Sequence, residues 1–194
     1  LEYEYEPLAL KDHVILLFNT NVKHSLASSA YNKRREECAA GVKMLQQHYP
    51  QVHSLRDATL QMLDEHVRPY EPLIDRRCRF VVEEIQRLQD ACTDLQKGDI
   101  QSLGKRMFAT HDGLSREYEV SCAELDYLVD AVRHHDAVIG ARMMGGGFGG
   151  CTINIVRRDT VAQLTATLAA AYKRDMQKEM TVYEARISDG TSVI

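Results

Sequence analysis

Val138-Ile139-Gly140-Ala141-Arg142-Met143, Met144, Gly145-Gly146-Gly147-Phe148-Gly149-Gly150 and Cys151-Thr152-Ile153-Asn154-Ile155-Val156 run consecutively and decide how this chain is read. Two short apolar runs flank five glycines and one phenylalanine, which predicts two strands joined by a glycine loop. A tight hairpin needs two or three residues with positive φ, not five glycines. Glycine at this density costs backbone entropy and adds no packing. Such a loop suits a backbone that must come close to another group, as beside a phosphate or a second phosphate-binding loop. Gly145, Gly147 and Gly150 fit G-x-G-x-x-G, but that dinucleotide fingerprint must open a helix, and here a strand follows. No Gly-Lys-Ser/Thr follows either, which excludes a Walker A loop. The plain alternative is a permissive Gly-rich hairpin. Phe148, a single large anchor among the glycines, argues against it.

Outward from the loop, residues 13–18 form an apolar run short enough for a buried strand. Residues 181–187 alternate as a last strand, with Asp189-Gly190 turning the chain after it. Asp159 is placed to cap a helix with Val161, Leu164, Leu168 and Ala171 on its core face. Between the first strand and the loop lies a helical block. Ser28 or Ser29 is placed to cap a helix over 30–47, with Val42 and Leu45 inward. Ser54 to Asp57 and Ser121 to Glu124 have capping-box spacing. Pro69 and Pro72 break the chain before an amphipathic helix from about Asp75, with Val81, Val82, Ile85, Leu88, Cys92 and Leu95 on one side. Gly98 ends that helix and Asp99 caps the next. The order is strand, helices, strand, loop, strand, helix, strand. That predicts an α+β fold, a ferredoxin-like split β-α-β-β-α-β sheet with an inserted helical block.

Length bounds the chain to one domain over residues 1–194. Hydrophobic content of 44% and charged content of 27% are those of an ordinary globular protein. A net charge of −4 argues against nucleic acid or an anionic membrane as partner. The strongest apolar run, at 14–18, is too short to span a bilayer. Five dispersed cysteines, at 38, 78, 92, 122 and 151, read as reduced thiols of a cytoplasmic protein. Eight histidines show no H-x-x-x-H pair and the cysteines no C-x-x-C, so zinc is not expected. Ser, His and Asp are all present, with nothing to bring them together as a triad. Leu1-Glu2-Tyr3-Glu4-Tyr5-Glu6 alternates like a strand. A chain that opens inside a strand, without methionine, reads as a piece of a longer protein.

Three segments carry a resemblance. Asn19-Thr20-Asn21-Val22-Lys23-His24-Ser25-Leu26-Ala27-Ser28-Ser29-Ala30-Tyr31-Asn32-Lys33-Arg34-Arg35 and Glu119-Val120-Ser121-Cys122-Ala123-Glu124-Leu125-Asp126 resemble segments of the galactokinase family. The Met143-to-Cys151 glycine segment resembles the third signature of the wider GHMP kinase superfamily. The resemblance covers residues 1–187 and only the C-terminal half of such an enzyme. The sugar-recognition motif, Ser-rich phosphate loop and catalytic aspartate of the family belong to an N-terminal half that is absent here. The resemblance implies a GHMP kinase C-terminal domain whose parent transfers the ATP γ-phosphate to the anomeric hydroxyl of galactose. ATP and Mg2+ would be held mainly by the missing half.

Two site roles follow from the resemblance. Tyr31 matches a family tyrosine that contacts the sugar; without the family it reads as a first-turn residue packed on the core. Gly145, Gly146, Gly147, Phe148, Gly149 and Gly150 match the loop that abuts the phosphate loop of the N-terminal half, this chain's expected partner, and helps shape the sugar end of the cleft. No residue of the chain is matched to a catalytic role. Lys23 lies near enough to the strand's end to approach phosphates, and Arg34-Arg35 is expected on a solvated helix face or an interdomain surface. Met144 stands where threonine is usual and Ala123 where proline is usual. Two alternatives stay open: another sugar kinase of the superfamily, acting on galacturonate or an N-acetylhexosamine, or a galactose-sensing protein without turnover.

Overall fold

Apolar residues at alternate positions give β1 (His13–Asn19) one buried side, formed by Val14, Leu16 and Phe18. The computed structural model describes residues 5–6, 8–22 and 27–187, without the side chains of 27–29. Lys23, the Asp189-Gly190 turn and most of the expected opening strand lie outside the described residues; Tyr5 and Glu6 are not in a strand. β1 sits inside a four-stranded antiparallel sheet with β2 (Val138–Met143), β3 (Cys151–Arg157) and β4 (Thr181–Ala185), in the order β2-β3-β1-β4. Because β3 runs antiparallel to both of its neighbours, β1 and β2 are parallel across it. This is the split β-α-β arrangement read from the sequence. The last strand stops at Ala185 rather than 187.

Helices α5 (Ala123–Val132) and α6 (Val161–Met176) cover the Val14–Leu16–Phe18 face of the sheet. On α6, Leu164, Leu168 and Tyr172 recur every four residues and meet that core, so Tyr172 and not Ala171 completes the stripe. Four more helices fill the block between β1 and α5: α1 (Ala27–Gln46), α2 (Leu60–His66), α3 (Pro72–Gln96) and α4 (Ile100–Arg116). Leu45, Val52, Leu55, Leu63, Val67 and Cys78 give that block its own core.

Several helix boundaries differ from the sequence reading, each for a physical reason. α1 begins at Ala27, so Ser28 and Ser29 lie inside its first turn instead of capping it. Pro72 opens α3, where a missing N–H has no helical partner to lose. The Ser54/Asp57 capping box forms around a single 3-10 turn, and α2 takes Thr59 as its own cap. Asp99 caps α4 as expected, accepting from the Ser102 N–H at 3.0 Å. Ser121 and Asp159 do not cap. The Ser121 hydroxyl donates to Asp126 at 2.5 Å, and Asp159 accepts from Arg157 at 2.6 Å. For Ser121 the bond to a carboxylate is stronger than a neutral cap, and for Asp159 the guanidinium replaces backbone N–H groups as its donor. The apolar stripe expected on α3 is only partly covered, and Leu88 is 65% exposed. The positions that α3 buries are Asp75, Arg77, Cys78, Phe80 and Asp94.

α4 lies directly on β2. A Cβ added at Gly104 would stand 2.1 Å from the Ile139 carbonyl oxygen, and one at Gly140 would stand 2.5 Å from the Gly104 Cα. Gly→Ala inside a helix ordinarily stabilises by about 1 kcal/mol. Gly104→Ala should instead destabilise by about 1–3 kcal/mol, because the methyl meets backbone that cannot swing aside. Urea unfolding reads the difference as a lower midpoint at unchanged slope. A raised midpoint would show that helix and strand are free to separate.

Candidate functional site at the glycine loop

The loop joins β2 to β3, and the Met144 N–H donates to the Cys151 carbonyl at 3.0 Å to close its ends. Gly145, Gly147, Gly149 and Gly150 have φ of 79°, 87°, 136° and 83°, and Phe148 joins them at 59°. Only glycine adopts such a run without strain, and one left-handed phenylalanine is held there by its packing. Phe148 lies against Val120, Leu125 and Met143, the anchor role read from the sequence.

Base and tip of the loop are built differently. At the base, the Phe148 N–H donates to the Val120 carbonyl at 2.7 Å. A Cβ at Gly147 would stand 2.0 Å from that same oxygen, and one at Gly149 would stand 3.0 Å from the Val22 oxygen. Thr20 bonds the Gly150 carbonyl twice, from its N–H at 2.9 Å and its hydroxyl at 2.8 Å. The Tyr172 hydroxyl donates to the Thr20 carbonyl at 2.9 Å, which ties the loop to α6. At the tip, Gly145 and Gly146 are exposed, and a Cβ on either would meet nothing within 4 Å. Gly146 has neither a positive φ nor a close neighbour among the described residues to require glycine. Met144 beside it is 37% exposed.

Below the loop lies a group that sequence reasoning missed. His111 on α4 is 2% exposed. Its Nδ1 accepts the Met143 N–H at 3.2 Å while its Nε2 lies 3.2 Å from Asp126 Oδ1. Those partners fix a neutral ring with its proton on Nε2. Ser115 and Ser121 also donate to Asp126, at 2.9 and 2.5 Å. Burial pushes the Asp126 carboxyl up, but the bonds from His111, Ser121 and Ser115 together outweigh it and hold it below the usual carboxylate range. Ser, Asp and His thus meet, but no hydroxyl faces the imidazole, whose second nitrogen is taken by Met143. The group is a support for the last residue of β2, not a nucleophile and its base.

Tyr31 stands on the early part of α1 and is 46% exposed. No hydrogen bond joins it to the loop. It is near enough to Tyr118 to raise that phenol, after burial and Cys38, and Tyr118 packs beside Phe148 in the cluster under the loop. Arg34, one turn further along α1, is 9% exposed and belongs to a buried ion network; Arg35 is exposed. The expectation of a solvated pair is therefore wrong for Arg34. Its partner Glu37, three residues on, was the local signal for a tethered arginine.

Residues 91–174 match the family of GHMP kinases C terminal. The galactokinase of Thermotoga petrophila is 38% identical over 194 residues, all of this chain and 53% of that protein. The galactokinase of Limosilactobacillus fermentum is 40% identical over 192 residues, 98% of this chain and 49% of that protein. A crystal structure of Lactococcus lactis galactokinase complexed with galactose superposes with a TM-score of 0.91 at 30% identity, over 99% of this chain and 50% of that one. The chain is homologous to the C-terminal half of galactokinases and spans about half the length of the curated relatives it matches.

The split between base and tip is directly testable. Gly147→Ala should lower the thermal midpoint by several degrees, since its methyl meets the Val120 oxygen at a left-handed φ, whereas Gly146→Ala should leave stability within about 0.5 kcal/mol. Equal midpoints for the two variants would show that the loop is uniformly permissive.

Proposed function

We propose that this chain is the C-terminal part of a cytoplasmic galactokinase, whose parent transfers the γ-phosphate of ATP to the anomeric hydroxyl of galactose. The single observation that carries the reading beyond homology is Gly146. Neither its conformation nor its packing requires glycine among the described residues, and a bare backbone at this exposed tip leaves room for a phosphate-binding loop of the other half to lie close. Phosphoryl transfer depends on placing reactants and on offsetting negative charge. This chain's contribution is placement. The loop tip presents backbone without side chains, and its base holds that backbone at four points. Tyr31, half exposed beside the same cluster, offers a flat apolar face to sugar C–H groups and a hydroxyl to a sugar oxygen.

Among the described residues no three His, Cys, Asp or Glu side chains converge as a cation site. The groups that hold Mg-ATP are assigned mainly to the N-terminal half. Among the described residues no helix is long and apolar enough to cross a membrane.

The test is galactose-dependent ADP release by the full-length protein, by the 194-residue chain, and by Gly146→Val and Tyr31→Ala in the full-length protein. The full-length protein should turn over and the chain alone should not, because catalysis by positioning fails when half of the positioned groups are missing. Gly146→Val should lose most turnover with its thermal midpoint unchanged. Tyr31→Ala should weaken galactose by about 1–3 kcal/mol, the cost of one hydrogen bond and its packing, and ATP much less. Turnover by the chain alone would overturn the half-site reading, and wild-type constants in both variants would remove the loop tip and Tyr31 from the site.

A further inference from the structure

Residues 117–120 form a short strap between α4 and α5, and each of its four carbonyls is taken by a group from elsewhere in the chain. Glu117 O accepts from Arg77 Nη1. Tyr118 O accepts from Arg34 Nε at 2.5 Å, and Glu119 O from Arg34 Nη2 at 3.2 Å. Val120 O accepts from the Phe148 N–H of the glycine loop at 2.7 Å. The strap needs this hold, because Glu119 is left-handed at φ 53° without being glycine. Its carboxylate folds back on Arg77 Nη2 at 2.6 Å and Arg76 Nη2 at 2.7 Å. Glu37 Oε2 joins the two buried arginines, 3.0 Å from Arg34 and 3.2 Å from Arg77.

Arg77 is 2% exposed and Arg34 9%. Burying two guanidinium groups is a poor way to gain stability, since apolar residues of the same volume serve as well or better. What arginine adds is direction: a planar fork of donors that holds two or three acceptors at fixed angles, which lysine cannot copy. Here the fork is aimed at the strap, and the strap's free end carries the loop. Arg34 also lies three residues after Tyr31 on α1, one turn along the same face. Tyr31, assigned to the sugar, and the glycine loop, which the resemblance sets against the phosphate loop and at the sugar end of the cleft, thus share one support.

We propose that Arg34 and Arg77 are positioning residues for the sugar end of the site. They set the strap, the strap sets the glycine loop through Val120, and Arg34 holds Tyr31's helix to the same strap. The assignment to the sugar end rests on the galactokinase reading above; the mechanical link does not.

The experiment uses the full-length protein with Arg77→Lys, and with Glu119→Gln, whose parent side chain is 43% exposed and whose change the fold should tolerate. Two quantities are read: hydrogen–deuterium exchange at the Phe148 amide against the β3 amides, and the KM values for galactose and ATP. Arg77→Lys should speed Phe148 exchange about tenfold with β3 unchanged, and should raise the galactose KM about tenfold with the ATP KM within about twofold. Glu119→Gln should do the same to a smaller degree, and it decides alone if Arg77→Lys does not fold. Unaltered Phe148 exchange overturns the link, whatever the kinetics. Faster exchange with both KM values unmoved, or moved equally, overturns the assignment to the sugar end. A parent protein without galactose turnover overturns the galactokinase reading and leaves the exchange result to judge the link.

Discussion

Gly104 and Gly140 let helix α4 lie against strand β2 backbone to backbone, and the geometry of the site is set from that contact. Seven helical residues after Gly104 rise about 10.5 Å and reach His111. Three strand residues after Gly140 advance about 10 Å and reach Met143. Helix and strand stay in step, so the imidazole arrives at the Met143 N–H where β2 ends. β2 is an edge strand, and an edge leaves amide groups without ladder partners. A buried, neutral histidine satisfies one of them and gives the glycine loop a fixed starting point. A side chain at either glycine would push the helix outward and carry His111 away from the strand.

The loop is not a flexible connector despite its composition. Val120, Thr20 and Cys151 hold its backbone by hydrogen bonds, Val22 crowds Gly149, and Phe148 fills the cluster below. Glycine serves two purposes within six residues. At Gly147 and Gly149 it permits close approach to this chain's own carbonyls. At Gly146 it keeps the outer surface bare.

Much of the fold was legible because its signals are local. Short apolar runs marked β1, β2 and β3, alternation marked β4, spacings of three and four residues marked α6, and Gly98-Asp99 marked a helix junction. The loop's glycines and their flanking strands were readable for the same reason. What could not be read depends on partners distant in sequence. Arg34 meets carbonyls more than eighty residues away, and Arg77 meets Glu37 and Glu119 across forty. Without those contacts both look like surface charge. The caps failed for a local reason, a charged neighbour within reach: Asp126 for the Ser121 hydroxyl and Arg157 for the Asp159 carboxylate. Gly104, inside an otherwise helical pattern, was the one local hint that α4 touches backbone.

The bond from Thr20 to Gly150 spans 130 residues of sequence. The β1–β3 ladder beside it, from Asn19–Cys151 to His13–Arg157, closes stretches as long, so the join shares the closure entropy of that pairing. A chain in which β1 has not paired with β3 therefore has no anchored loop. On the galactokinase reading, the surface that the loop offers is thus made by the pairing of strands far apart in sequence, and a copy that has not paired them has nothing to present.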